Sequence, residues 1–190
     1  MSLIYLARHG ETDWNARGKL QGSTDIPLNE AGRAQAVALG ERLRGQPITS
    51  VTTSDLARAV ETGRIVALAL GVTRVHVDAD LRERSFGMFE GLTRDECASQ
   101  HPEAWRAWVE RTIAPQGGEP REAAVLRMTR GLGRVRARSE SEVSLVISHG
   151  ASMRLLLMEC LGGAVPPIGN AAVYRIESID DRFAPVLWNG

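Results

Sequence analysis

The sequence predicts an α/β fold, a three-layer α/β/α sandwich with a mainly parallel central sheet. Short apolar runs rich in β-branched residues alternate with longer amphipathic runs along the chain, the pattern of strands separated by helices. Gly, Pro, Asn and Asp fall between the runs, where turns and helix ends need them. The 190 residues, 43% of them hydrophobic, suffice for one core. One domain over 1–190 is therefore expected.

Leu3–Ala7 reads as the first strand. Residues 8–28 form a long loop rich in Gly, Asp, Asn and Thr, and loops of that length in compact domains usually carry function. Asn29-Glu30 opens a helix to about Arg44, with Ala34, Val37, Ala38 and Leu43 as its apolar positions. Gly45 and Pro47 end it. The β-branched run Ile48–Thr53 is the second strand. Ser54 or Asp55 caps a helix to about Leu70, which Gly71 closes. Arg74–Val77 is a short strand, and 81–91 an irregular segment. Residues 93–112 form one or two helices broken near Pro102, with Trp105 and Trp108 packing on one side. Gln116-Gly117-Gly118-Glu119-Pro120 is a loop into a long helix, 121–138, whose arginines mostly form a solvated face. Val143–Ser148 is a strand, Ala151–Leu161 a helix and Gly162–Pro167 a link. Ala172–Ile179 and Phe183–Trp188 make a final hairpin turning at Asp180-Asp181. By its position, segment 92–118 is expected to form a small helical cap over the functional edge of the sheet.

Basic and acidic residues number 23 each, so no net field favours nucleic acid. Cys97 and Cys160 make neither a metal-ligand spacing nor a disulfide framework, and both fit helical packing positions. The most apolar helical stretch, Met153 to Leu161, contains Arg154 and Glu159 and is far shorter than the roughly 20 residues of a bilayer span. No basic segment precedes the first strand, so no signal peptide is expected. The expectation is a cytoplasmic protein without membrane or nucleic-acid partners.

Arg8-His9-Gly10 follows the first strand, and Ser148-His149-Gly150 follows a later one. Arg58 lies in the first turn of the helix after the second strand. In a parallel sheet these strand ends share one edge and would form a cationic pocket. The planar fork of arginine suits phosphate, because it can bind two oxygens together. Glu83 is the acid placed to complement them, with Glu90 and Glu119 in similar loops nearby. Phosphoryl transfer needs a nucleophile, positive charge around the equatorial oxygens and a proton donor for the leaving group. His9, the arginines with a protonated His149, and Glu83 fill those roles. His9 must be neutral at its attacking nitrogen, with the other nitrogen held by a backbone carbonyl. Arg82 and Arg84 flank Glu83, but neighbours in an extended segment alternate sides, so both should point away from it. A general acid must hold its proton, so better turnover is expected at mildly acidic pH. No Walker-type loop is present, and His76 and His101 lack motif context.

These residues make the chain resemble the histidine phosphatase superfamily, also called phosphoglycerate mutase-like. The matching blocks are Arg8-His9-Gly10-Glu11-Thr12, Asn15, Gln21-Gly22, Asp25-Ile26-Pro27-Leu28 and Gly32. They continue through Ser54-Asp55-Leu56, Arg58, Thr62, Leu81, Glu83, Gly87 and Glu90-Gly91 to Ser148-His149-Gly150, in the family's order. The resemblance implies that His9 becomes a phosphohistidine, and that Arg8, Arg58 and His149 complete the phosphate pocket. Glu83 would be the proton donor that later activates water. It also implies that Asn15, Gln21 and Gly22 line the substrate site, with Arg84 and Gly150 as further candidates. Neither metal nor organic cofactor is expected, and the partner is a small phosphorylated metabolite or other phosphomonoester.

Phosphatase, bisphosphate-dependent phosphoglycerate mutase and non-catalytic phospho-ligand binder are the three readings. The full catalytic set disfavours the binder. Arg94 matches a position where the mutases carry lysine. Where they have tryptophan followed by paired arginines, this chain has Trp108-Val109-Glu110, with Arg111 offset by one. Glu110 would repel a bisphosphate, and the short cap gives less cover against water. Both points favour hydrolysis.

Overall fold

A computed structural model describes residues 2–110, 113–138, 143–179 and 182–186. The strands are β1 (Ser2–Arg8), β2 (Ile48–Thr53), β3 (Val75–Val77), β4 (Val143–Ser148), β5 (Val173–Ile179) and β6 (Arg182–Val186). They form one sheet in the order β3-β2-β4-β1-β5-β6. The pairings from β3 through β1 are parallel, and β5 and β6 extend the sheet antiparallel. The expected mainly parallel sheet is thus present. β5 and β6 pair as the expected hairpin; its turn at Asp180-Asp181 and residues 187–188 lie outside the described residues.

Side chains alternate between two cores, as a pleated sheet requires. Tyr5, Ala7, Val51, Leu145 and Ile147 pack with Leu39, Leu43 and Val66, which belong to or adjoin α2 (Glu30–Arg42) and α3 (Ala57–Leu70). Ile4, Leu6, Val146 and Ile176 face the other way, onto Met128, Leu132, Met153, Leu156 and Leu157 of α6 (Arg121–Arg138) and α7 (Gly150–Leu161). Each fully buried large aliphatic side chain contributes roughly 1.5–3 kcal/mol. Exposed ion pairs such as Arg33–Glu61 contribute about 0–1 kcal/mol. The two apolar layers therefore hold the fold.

The buried face of α2 differs from the expected one. Ala34, Val37 and Ala38 are exposed, and the helix buries Gly32, Ala36, Leu39 and Gly40 instead. Close approach to α3 selects this face: a Cβ on Gly40 would stand 2.7 Å from the Ala69 Cβ. Glycine carries no hydropathy signal, so the pattern of larger apolar residues pointed to the wrong side. The first cap of α3 also differs. Leu56 occupies the N-cap without a side-chain bond, and Asp25 from another loop accepts from the first helical amide, that of Ala57, at 2.8 Å. Gly71 closes α3 in the left-handed conformation, as expected.

The long first loop contains a one-turn helix, α1 (Asp13–Ala16), and segment 92–118 contains α4 (Arg94–Gln100) and α5 (Pro102–Val109). Trp105 and Trp108 pack edgewise on Phe89 and Phe86 around buried Cys97, a small apolar cluster beside the two main ones. Cys160 is half-buried against the α6–α7 core. The arginines of α6 are not simply solvated: Arg130 and Arg134 pair with Asp80 and Asp78, holding Asp80 down to about 2. No helix among the described residues is long and apolar enough to cross a membrane.

The α2 correction is testable by denaturant unfolding. Val37→Ser should change stability by less than about 0.5 kcal/mol, whereas Ala36→Leu should cost about 1–3 kcal/mol by overpacking.

Candidate active site

β1 and β4 lie side by side in parallel, and Arg8 is in register with Ser148. Both strands therefore end together, and the next residues, His9 and His149, emerge at one edge. α2 packs on one face of the sheet and α7 on the other, so β1 and β4 flank a switch point where a crevice opens. The His9 amide donates to the Ser148 carbonyl at 3.1 Å, and the Ser54 amide donates to the Ile147 carbonyl at 3.0 Å, adding the end of β2. The His9 and His149 rings lie 5.0 Å apart.

His9 is 2% exposed. Its Nδ1 lies 2.6 Å from the Gly10 carbonyl oxygen. A carbonyl only accepts, so Nδ1 carries the hydrogen and Nε2 keeps its lone pair. The expected backbone carbonyl is thus that of Gly10. Burial, then Arg8, then Arg58, hold His9 well below the ordinary imidazole range. Gly10 is required by contact: a Cβ there would stand 2.3 Å from the Gly32 carbonyl oxygen. Thr62 on α3 pins the same turn, accepting from the Gly10 amide and donating to the Arg58 carbonyl.

His149 is fully buried behind His9 and does not line the cleft. Arg58 Nε donates to its Nδ1 at 3.3 Å, which leaves the hydrogen on Nε2, 2.6 Å from the Ser54 hydroxyl. Burial, Arg58, His9 and Arg8 lower its proton affinity well below the ordinary value. The expected protonated His149 finds no support here: burial and the arginines lower its proton affinity, and both nitrogens face protein groups. Ser54, read from sequence as a helix cap, instead holds this ring.

Arg58 is 0% exposed, and carbonyls rather than carboxylates orient it. It donates to Thr24 and Gly22 carbonyls, each at 2.8 Å. Arg8 donates through Nη1 to the Ile168 carbonyl at 2.6 Å, and its buried Nε has no partner. Gly150 exists for this guanidinium, since a Cβ there would lie 3.2 Å from Nε. Burial lowers the proton affinity of both arginines, and Glu83 acts on both in the opposite sense.

Glu83 sits at the N-terminus of α7. Its Oε2 accepts from the Ala151 amide at 2.9 Å, and its Oε1 accepts from the Ser152 and Arg84 amides and lies 3.1 Å from the Ser152 hydroxyl. The Ala151 and Ser152 amides belong to the first turn of α7, where backbone donors have no partner within the helix. Arg82 turns away to Asp55, and Arg84 donates to the Glu119 carbonyl, so neither guanidinium is bonded to the Glu83 carboxylate. The two competing acids are engaged elsewhere. Glu90 accepts from Ser23, Thr24, Ser85 and Phe86, and Glu119 is bidentate to Arg127.

The loop residues are brought to the same place. Thr12 donates its hydroxyl to Gln21 at 2.9 Å and its amide to Asn15 at 3.2 Å, and Asn170 also donates to Asn15. Gly22 has φ +54, and a Cβ there would stand 2.1 Å from the Glu90 carboxylate. Arg8, His9, Asn15, Gln21, Gly22, Arg58, Glu83, Arg84 and Gly150 all line one cleft of about 640 Å³. Its outer wall adds Trp108, Val109 and Ile113, and basic Lys19, Arg94, Arg121 and Arg154. Val109 lines the cleft and Glu110 stands next to it, outside the lining. Arg111 lies outside the described residues. Among the described residues no group of three or more His, Cys, Asp or Glu is placed to hold a metal ion.

Sequence reasoning missed Ser54, Thr62, Glu90 and Asn170 as parts of this site. The first three stood in recognisable blocks but were silent about their partners. Asn170 had no local signal, because its reach to the His9 carbonyl spans 161 residues.

A sheet edge that gathers two imidazoles, buried Arg58 and half-buried Arg8 beside one cleft marks an α/β protein with a cationic pocket. The chain belongs to the histidine phosphatase superfamily (branch 1), whose family pattern matches residues 4–190. It is 41% identical to phosphoglycerate mutase-like protein 4 of Arabidopsis thaliana, over 97% of this chain and 84% of that one. It is 32% identical to the metal-independent phosphoserine phosphatase of the same plant, over 98% and 80%. Mycobacterial glucosyl-3-phosphoglycerate phosphatase, solved with VO3, superposes with a TM-score of 0.87 at 30% identity, covering 98% of both chains.

The buried neutral imidazoles make stability depend on pH. Unfolding returns both rings to an ordinary pKa of about 6.5. Below that pH the unfolded chain binds more protons than the native one, so stability falls as pH drops from about 6.5. The depressed carboxylates Asp55, Asp78, Asp80 and Glu90 add their loss only below about pH 4.5. Denaturant midpoints between pH 7.5 and 5 should fall, and His149→Asn should flatten the slope; an unchanged slope contradicts the assignment.

Proposed function

We propose that the protein is a metal-independent phosphomonoester hydrolase of the acid type, working through a phosphohistidine on His9. The observation that carries this reading is the His9 ring, neutral and fixed through Nδ1 to Gly10, beside the free Nε of Arg8. The lone pair on Nε2 attacks phosphorus while the bond from phosphorus to the leaving oxygen breaks. Glu83 gives its proton to that oxygen. Oε1 accepts from two amides and lies 3.1 Å from the Ser152 hydroxyl, while Oε2 accepts from one amide, which favours Oε2 as the proton carrier. Glu83 then takes a proton from water, the water oxygen bonds to phosphorus, and the phosphorus–nitrogen bond breaks. Arg8 and Arg58 stabilise the equatorial oxygens, with Arg58 held by His149. His9 stays unprotonated well below pH 6.5, which supports turnover in mild acid.

One observation favours a second reading, a bisphosphate-dependent phosphoglycerate mutase. Lys19, Arg94, Arg121 and Arg154 line the outer cleft and could hold a second anionic group. Hydrolysis is better supported because Val109 and Ile113 on the same wall are 56% and 64% exposed, an open apolar flank with free access for water. A phospho-ligand binder would not need a proton donor on the far side of the cleft.

A panel of phosphomonoesters, assayed for phosphate release with and without chelator, checks the proposal. His9→Ala should lower turnover more than about a thousandfold, with no effect of chelator and higher rates near pH 6 than near pH 9. Turnover retained in His9→Ala contradicts the mechanism. Interconversion of 3- and 2-phosphoglycerate that requires a bisphosphate primer and exceeds hydrolysis would establish the mutase reading.

A further inference from the structure

We infer that Arg127 is a positioning residue for the proton donor, acting through the backbone that carries Glu83 and through Ser152. This rests on the reading of Glu83 as the general acid. Arg127 projects from α6, does not line the cleft, and is only 13% exposed at its side chain. Its Nη1 donates to the Asp80 carbonyl at 2.8 Å and to the Arg82 carbonyl at 2.7 Å. Those carbonyls flank Leu81, one residue before the Arg82–Glu83 peptide. Nη2 reaches the Ser152 hydroxyl at 3.4 Å. That hydroxyl also contacts the Arg82 carbonyl at 2.9 Å and Glu83 Oε1 at 3.1 Å.

The remaining donors hold Glu119. Nε and Nη2 grip its carboxylate at 2.6 and 2.7 Å. The Glu119 amide bonds the Ser85 carbonyl, and its carbonyl accepts from Arg84 Nε. One guanidinium thus ties both sides of the Glu83 segment to each other and to the start of α7. Lysine could supply the charge but not a planar fork that serves four sites at once. A proton donor displaced by about 1 Å can lose about a hundredfold in rate, while the nucleophile, held from β1, is unaffected.

Leaving-group dependence separates this from general destabilisation. The kcat/KM value reports the transfer to His9, where an alkyl phosphate needs a proton on its leaving oxygen and p-nitrophenyl phosphate does not. Arg127→Lys and Arg127→Met should lower kcat/KM for glycerol phosphate about tenfold or more, and for p-nitrophenyl phosphate less than about threefold, in proteins whose melting shows them folded. Ser152→Ala should show the same bias more weakly. In a Glu83→Gln background the Arg127 substitutions should add nothing, since residues acting as a unit are non-additive. Equal losses for both substrates, or full additivity with Glu83→Gln, overturn the inference. If Glu83→Gln itself shows no leaving-group bias, the assignment of Glu83 fails first and takes the role of Arg127 with it.

Discussion

The structure turns on two guanidinium groups at the end of a parallel sheet, Arg58 buried and Arg8 half-buried, with no carboxylate among the described residues bonded to either. Taking an ion out of water costs several kcal/mol, and backbone carbonyls offset part of that for Arg8 and Arg58. Carbonyl dipoles orient the cations, and nearby carboxylates, Glu83 foremost, offset their charge only through space. Two consequences follow. Burial first, then the arginine field, lowers the proton affinity of both neighbouring imidazoles, so His9 retains a lone pair in mild acid. The same field favours a dianion in the cleft far more than a neutral ligand.

Much of the surrounding fold maintains that arrangement. The glycines at 10 and 32 let α2 come down onto the His9 turn, and Thr62 locks α3 to it. Glu90 fastens Ser23 and Thr24 to Ser85 and Phe86. That places the Gly22 and Thr24 carbonyls where Arg58 meets them. On the opposite side of the cleft the first turn of α7 fixes Glu83, and Arg127 braces its backbone. Nucleophile and acid thus hang from different elements, one after β1 and one between β3 and α6, joined through Glu90 and the start of α7.

The fold was legible because strand and helix periods are written in large apolar side chains. Ile48–Thr53, Val143–Ser148 and 121–138 carry those signals over their full lengths. The face of α2 was not legible, because glycine and alanine make its contact with α3. At the site, residue type and the family's blocks pointed to His9, Arg8, Arg58 and Glu83, and the fold gathers all four at one cleft. The state of His149 was not: it depends on Arg58 and Ser54, 91 and 95 residues away. Arg127 was misread for the same reason. A helix of arginines reads as solvated until the partners of each one are known.

The central claim is that His9 Nε2 carries the phosphoryl group between substrate and water. Acid-free quenching during turnover, followed by peptide mapping and phosphorus NMR, tests it directly. The account predicts one phosphate per chain, on Nε2 of the peptide containing His9, stable in base and lost in acid. Phosphate on His149, on Nδ1 of His9, or on no histidine while turnover proceeds would contradict it.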